Sequence, residues 1–575
     1  MRSFLSALVS LIVLFFDATV GYSAILEGHV YLDANRNGRW DDGEAGVPGV
    51  LVSDGRRVVA TDASGHYRLD SDEARALLWI TVPRDHRPTA PFWRWADGRQ
   101  SENFGLVRQP QPNDFCFIQI TDTHTGNADA LRLFAKQTAK LPIPIPFVVN
   151  TGDLGGDGGF DTKGDRKMYE RYIRAISAFE QPLFNVPGNH DHVCFLSKEA
   201  DKNDPLYGKG LYWHLFGPMH YSWDWGNVHF VALDGTRLPY QERLGAEQLA
   251  WLKADLSFQP HDKPLVLFCH QSVVTMKEKK GTEPLAGVLQ GRKVLGIFCG
   301  HLHTTFFTRL EDFPVYHTGA FCGAWESGPC LDGTPKGFRF IQIKNDRLKT
   351  AYTNREGHYP LCVVSPTGKV TPTGKVTQSQ SRKIEIEVVA VDFGKRLEVT
   401  ARYADRPVPL KFVSREKLWS TWKGTVDTSL AYDGDQVVHA ASRLGDDVST
   451  CDIHYLVLNG RAQPYRADAP AKLTFQVRGV YAEAEILLNG KPLGTVAAKT
   501  PSKTVVSFDI PSDCLAKVNR MTVRTAGSCR LAAIQLGYKK HFIYDLRYAT
   551  FEPHDFNKAT SASSSPADAL YFCLP

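Results

Sequence analysis

The chain of 575 residues carries 43% apolar and 22% charged side chains and a formal net charge of +5 at pH 7. That length exceeds what one hydrophobic core serves and predicts roughly three to five domains. The apolar fraction excludes a disordered chain, and so small a net charge gives no basis for expecting nucleic-acid or membrane binding.

At the start, Arg2 precedes the apolar run from Phe4 to Phe16, and the small residues Gly21, Ser23 and Ala24 follow it. This pattern predicts a signal peptide over 1–23, cleaved near Ser23 or Ala24. The run falls short of the roughly 20 residues a membrane span requires, and no later segment is long and apolar enough. The expectation is therefore a secreted or periplasmic protein with no integral membrane segment in the mature chain. No cysteine follows the cleavage region to take a lipid anchor.

Residues 24–108 read as an N-terminal β-sandwich domain of the immunoglobulin-like kind. Asn37-Gly38, Asp54-Gly55 and Ser64-Gly65 mark turns, and short β-like runs surround Val50, Val52, Val58, Val59, Tyr67 and Leu69. Within it Asp33, Asn35, Asn37, Arg39, Asp41 and Glu44 stand at positions one, three, five, seven, nine and twelve of a calcium loop, with Gly38 at the tight turn. The flanking runs look like strands rather than helices, so a structural Ca²⁺ and a metal-free polar hairpin both remain open.

From 114 to 354 short apolar runs alternate with helical stretches. The runs are Phe115 to Ile120, Phe147 to Val149, Leu183 to Val186, Val228 to Leu233, Leu265 to Phe268 and Val294 to Phe298; helices are predicted at 128–140, 165–180 and 245–257. This is an α/β pattern, and such folds place ligands beyond the carboxyl ends of their strands. A linker over 355–382 contains a tandem duplication, Pro366 to Thr371 and Pro372 to Thr377. Alternating runs then predict a β domain at 383–462 and a jelly-roll-like β domain at 463–560, before a tail at 561–575. The stretch from Ala484 to Gly494 is similar to accessory modules of carbohydrate-active enzymes, so glycan contact is one role for these modules and domain packing the other.

Eleven cysteines are scattered without a CxxC pair, which argues against a dense disulfide framework. Cys116, Cys269 and Cys299 lie in apolar runs and read as buried hydrophobes. Cys322 and Cys330 could be bridged, and the odd total leaves at least one thiol unpaired. Most rings of the aromatic segment from Tyr212 to Trp223 are expected to pack under a loop.

Five segments set metal-binding side chains at or just beyond strand ends: Asp122-Thr-His124, Gly152-Asp153, Gly188-Asn189-His190-Asp191, His270, and Gly300-His301-Leu302-His303. Carboxylates, imidazoles and one amide in that order suit two adjacent divalent cations, and the mixed nitrogen and oxygen donors favour Zn, Mn or Fe over Mg. The two oxygens of Asp153 could bridge both ions. Singly each motif is ordinary; together, each bordering an apolar run, they are specific.

The combination resembles the calcineurin-like metallophosphoesterases over about 114–350. That resemblance implies a core of two β-sheets sandwiched by helices, flanked here by the N-terminal β domain and the C-terminal β-sandwiches. It also implies one metal held by Asp122, His124, Asp153 and His303, and a second by Asp153, Asn189, His270 and His301. The implied reaction is attack of a metal-bridged hydroxide on phosphorus, with His190 as general acid. Asp191 would orient His190, and His192 and Trp325 are candidate substrate contacts. The wider architecture is similar to a secreted bacterial branch of the family. The expected partner is a small phosphate ester, a diester slightly ahead of a monoester. No concentrated basic and aromatic track suggests a dedicated nucleic-acid partner, and a non-catalytic glycan or cell-surface binding role stands as the competing class.

Overall fold

Alternation along the strand Phe115–Ile120 sets the architecture. Phe115 and Phe117 enter one apolar cluster while Cys116, Ile118 and Ile120 enter another, as the two-residue repeat of a strand buried on both faces requires. The structure is a computed structural model and describes residues 24–125, 128–155, 162–193, 201–237, 241–276, 281–324, 326, 328, 330, 334–355, 361–366, 383–416, 418–432, 434–457, 461, 463, 471–511, 513–516, 518–526, 529–536, 541–542, 554–556 and 570–573. The expected signal peptide and the duplication from Thr367 onward lie outside these residues.

Phe115–Ile120 is the middle of a five-stranded sheet ordered Leu183–Asn185, Val148–Asn150, Phe115–Ile120, Gly337–Lys344, Arg347–Asn354. The first three strands are parallel, and the last two form an antiparallel hairpin. A six-stranded sheet is ordered Tyr221–Trp225, Val228–Leu233, Leu265–Cys269, Val294–Cys299, Phe313–His317, Phe306–Leu310. Its four central strands are parallel, with an antiparallel strand at each edge. Rings join the two sheets: Phe117 packs against Phe147 at 4.9 Å and edge-on against Phe230 at 5.5 Å. Helices Ala128–Thr138 and Thr162–Ile176 cover the outer face of the first sheet with Leu131, Phe134, Tyr169 and Tyr172. Helix Ala246–Ser257 buries Leu249, Trp251, Leu252 and Leu256 with the second. None of the helices among the described residues is long and apolar enough to cross a membrane.

The N-terminal unit contains two four-stranded sheets, and its apolar residues run on into the α/β core: Val52, Leu78 and Ile80 share one cluster with Trp223, Phe230 and Trp251. The seam is also polar. Trp251 Nε1 donates to Ser53 Oγ at 3.1 Å, the Thr81 and Ser222 hydroxyls meet at 2.8 Å, and Asp224 N donates to Val82 O at 2.9 Å. Tyr212, Tyr221 and Trp223 of the aromatic segment are buried as expected.

Two sequence expectations are corrected downstream. Leu361–Pro366, placed in the linker, is a strand paired antiparallel with Lys383–Val391, which builds a sheet with Trp419–Asp427 and Leu410–Arg415. Val389, Val391, Leu418 and Trp419 join the cluster that holds Phe338 and Phe340, so this sheet is docked on the five-stranded sheet of the α/β core. Leu570–Cys573, placed in the tail, pairs antiparallel with Val518–Thr525 in the last β unit. That unit buries its own separate cluster around Leu473, Phe475, Ile486 and Met521.

Candidate metal centre

Every motif residue lies where a strand stops. Asp122 and His124 follow Phe115–Ile120, Asp153 follows Val148–Asn150, and Asn189 and His190 form a single turn, Asn189–Asp191, beyond Leu183–Asn185. The second sheet contributes His270 after Leu265–Cys269, and His301 and His303 after Val294–Cys299. The carboxyl ends of both sheets thus converge on one place.

Ligand atoms of Asp122, His124 and Asp153 lie within 4.8 Å of one another, as do those of Asp153, His270 and His301. Asp153 belongs to both groups, the arrangement a bridging carboxylate needs. Its Oδ2 lies 3.1 Å from His270 Nε2 and 3.5 Å from His124 Nε2, and Asp122 Oδ1 lies 3.3 Å from His303 Nε2. Asn189 is buried, with Gln271 Nε2 3.5 Å from its Oδ1. The motif glycines are there for contact: a Cβ on Gly188 would stand 2.1 Å from Asp153 Oδ1, and one on Gly300 would stand 1.9 Å from Thr121 Oγ1.

The backbone is held in an uncommon state. Asp122, His124, Asp153, His301 and His303 have φ of +51°, +38°, +52°, +69° and +51°, a region that costs a non-glycine residue on the order of 1–3 kcal/mol. Cross-links over-determine it: Asp122 N donates to Gly152 O at 2.9 Å, His124 N to Asp153 O at 3.0 Å, and His301 N to Asp122 Oδ2 at 3.1 Å. Two imidazoles are fixed through the far ring nitrogen, His270 Nδ1 against Thr151 O and His303 Nδ1 against Gly323 O, both at 2.7 Å. Their Nε2 atoms are thereby turned to the carboxylates.

Burial disfavours a charge on Asp122, yet His303 and His270 outweigh it and hold the carboxyl down to about 2. Burial likewise disfavours an imidazolium at His270, but Asp153 and Asp122 push that group up to about 10. A buried set of acids and imidazoles that hold each other charged is one that exchanges protons for cations. The donors present, three kinds of side chain with nitrogen and oxygen atoms, fit a pair of metal ions.

The remaining expected residues divide. His190 stands edge-on to His124 at 5.1 Å between ring centres; its backbone N donates to Asp153 Oδ1 at 2.9 Å, and its Nδ1 has no hydrogen-bond partner among the described residues. Asp191 does not orient it. The turn sends the Asp191 carboxylate inward, where Oδ2 accepts from Gly188 N at 2.7 Å and Oδ1 accepts from Leu154 N at 3.0 Å and from the Tyr169 hydroxyl at 3.2 Å. Burial, then the charge of Asp153, pushes its pKa up to about 7. Asp191 braces the metal loop instead. His192 is buried, with Nδ1 3.1 Å from Asn189 O. Trp325 lies outside the described residues.

Cys322 escaped the sequence reading as a site residue. Cys322 and Cys330 are not bridged to each other, and the Cys322 sulfur lies within 4.8 Å of ligand atoms of His124 and His303. No motif marks it, because it arrives from a different segment after Phe313–His317. In the calcium-type loop Asp33 accepts from the N–H groups of Asn37 and Gly38, Glu44 from those of Ala34 and Asp41, and Asp41 from both asparagine amides. Its acceptors are thus engaged within the loop.

Comparison with known proteins agrees with this geometry. Residues 34–109 match the family described as the N terminal of calcineurin-like phosphoesterase, and residues 116–305, which contain all seven proposed ligands, match calcineurin-like phosphoesterase. The chain is 24% identical to a probable cyclic nucleotide phosphodiesterase of Fibrobacter succinogenes over 35% of this chain and 77% of that protein. It is 25% identical to a 3',5'-cyclic adenosine monophosphate phosphodiesterase of Haemophilus influenzae over 42% of this chain and 90% of that one. A glycerophosphodiester phosphodiesterase of Enterobacter lignolyticus is 26% identical over 34% of this chain and 67% of its own length.

Proposed function

With a calcineurin-like phosphoesterase domain over residues 116–305, the chain is a metal-dependent phosphoric ester hydrolase, and we propose that it cleaves small phosphodiesters, with His190 as general acid. The observation that carries the reading is the sharing of Asp153 between two ligand groups, with His190 beside them. Two bound divalent cations supply Lewis acidity and a nucleophile available at neutral pH. Asp122, His124, Asp153 and His303 would hold one, and Asp153, Asn189, His270 and His301 the other.

The chain's own residues do the rest. Outer partners of His270 and His303 keep the ligand rings from turning, so the donor set is organised before substrate arrives. The His190 ring, set against His124, is placed to carry the proton that a leaving alkoxide takes up. The diester preference draws on the relatives, which are phosphodiesterases by name. The same reading includes Zn, Mn or Fe as the metals, export directed by residues 1–23, and a structural Ca²⁺ supported by the spacing of Asp33 to Glu44.

A matched panel tests it: bis-p-nitrophenyl phosphate, p-nitrophenyl phosphate, cyclic mononucleotides and alkyl phosphates with metal-loaded enzyme. Diesters should turn over faster than monoesters. His190→Asn should keep its metals yet lose roughly 10²- to 10⁴-fold on basic alkoxide leaving groups and less on aryl ones. Equal losses on both would sink the general-acid role, and faster monoester turnover would replace the diesterase by a phosphatase of the same mechanism.

A further inference from the structure

The imidazoles of the proposed metal set are held from behind by different groups. His270 and His303 each turn Nδ1 to a backbone carbonyl, a neutral acceptor fixed by the sheet. At His301 the ring is reversed: Nε2 lies 3.3 Å from Glu242 Oε1, which leaves Nδ1 for the cation. Glu242 stands outside all five metal motifs and reaches the centre from a separate hairpin, Thr236–Arg237 with Gln241–Glu242.

That hairpin is tied to the second metal's half of the centre. Thr236 is the cross-strand partner of Glu242 and is buried, its N–H donating to Asp234 Oδ1 at 3.0 Å. Asp234 is held in turn by Gln248, and Thr236 Oγ1 accepts from Gln271, the residue after His270. His301 itself is fixed by its backbone N–H on Asp122 and by an edge contact to His270 with ring centres 5.3 Å apart. An anionic acceptor raises the basicity of a metal-bound imidazole, whereas a neutral carbonyl chiefly orients it.

We propose that Glu242 is a positioning residue that sets the affinity of the second metal through His301. The proposal rests on the reading of His301 as a metal ligand. Because Glu242 is half-exposed while the partners of His270 and His303 are buried backbone, the second metal is the one whose retention can be altered from the cleft rim.

Zn²⁺ titration of the full chain, stripped of metal and competed against a chromophoric chelator, is the test. Wild type should take up two equivalents; fewer would overturn the ligand reading and this proposal together. Glu242→Gln and Glu242→Ala should weaken one equivalent by about 10- to 100-fold and leave the other unchanged. In a His301→Ala background, Glu242→Ala should add no further loss, because its effect passes through the missing ring. Two wild-type equivalents combined with unchanged binding in both variants, with equal weakening of both equivalents, or with additive loss in the double variant would each overturn the role of Glu242 while leaving the metal assignment in place.

Discussion

In the central cleft Asp122 and Asp153 face imidazole nitrogens 3.1–3.8 Å away, on a backbone held at positive φ by contacts from both sheets. In the loop from Asp33 to Glu44 no carboxylate is paired with an imidazole among the described residues. Its carboxylates accept N–H groups and amides of the loop itself, with bonds of 2.7–3.1 Å. Both segments have a ligand-like spacing, but the cleft sets its buried carboxylates against imidazoles, whose protons bound cations would replace. Spacing names donors; the number of donors already engaged decides how much a cation is needed.

The sharpest way to break this contrast is at the bridge. Asp153→Asn should lose metal from both positions and reduce turnover to background, whereas Asp41→Asn in the loop should leave the metal content of the cleft unchanged. Metal analysis after desalting decides it, and two tightly held ions in Asp153→Asn would reject the bridging role.

Next in size is the brace beneath the metal loop. Asp191→Ala strands the buried N–H groups of Gly188 and Leu154, each worth about 1–3 kcal/mol when left unsatisfied. Denaturant unfolding should therefore show a loss of roughly 2–6 kcal/mol, while His190→Asn stays within about 0.5 kcal/mol of wild type. Equal stability of the two variants would mean that Asp191 carries no bracing role.

A third carboxylate set supplies its own cation. His229 is buried with Nδ1 2.7 Å from Asp224 Oδ1 and Nε2 2.8 Å from Asp255 Oδ2. Burial works against its charge, but Asp255 and Asp224 push its pKa up to about 9. Since the folded value exceeds the unfolded 6.5, the stabilisation is fully present below pH 6.5 and is lost as pH rises through 9. Its size is on the order of 3 kcal/mol. Melting curves between pH 6 and pH 10 should show that fall in wild type and a flatter profile in His229→Gln; the same slope in both would assign the alkaline loss elsewhere.

The smallest effect belongs to the N-terminal loop. Calcium at tenfold its Kd should stabilise the chain by about 1.4 kcal/mol if the loop binds it, and Glu44→Gln should remove most of that gain. A melting temperature indifferent to calcium would leave a polar hairpin that neutralises itself.

The metal motifs were legible because coordination requires particular donor atoms, and strand ends deliver them in short segments that a linear reading can see. The strand Phe115–Ile120 and the helix Ala246–Ser257 lie within a residue of where periodicity placed their counterparts. Pairing was another matter. Leu361–Pro366 and Leu570–Cys573 find partners some distance along the chain, and alternation identifies the face a strand buries without naming the strand beside it. The neighbours His190 and Asp191 point in different directions because successive residues of the single turn Asn189–Asp191 face different sides. Glu242 and Cys322 reach the centre from segments with no metal motif of their own. Residue chemistry, carried in local sequence, thus determined which groups could bind and react. Which of them are braced, shared or left available was decided by long-range packing, because only the folded chain brings their partners within hydrogen-bonding distance.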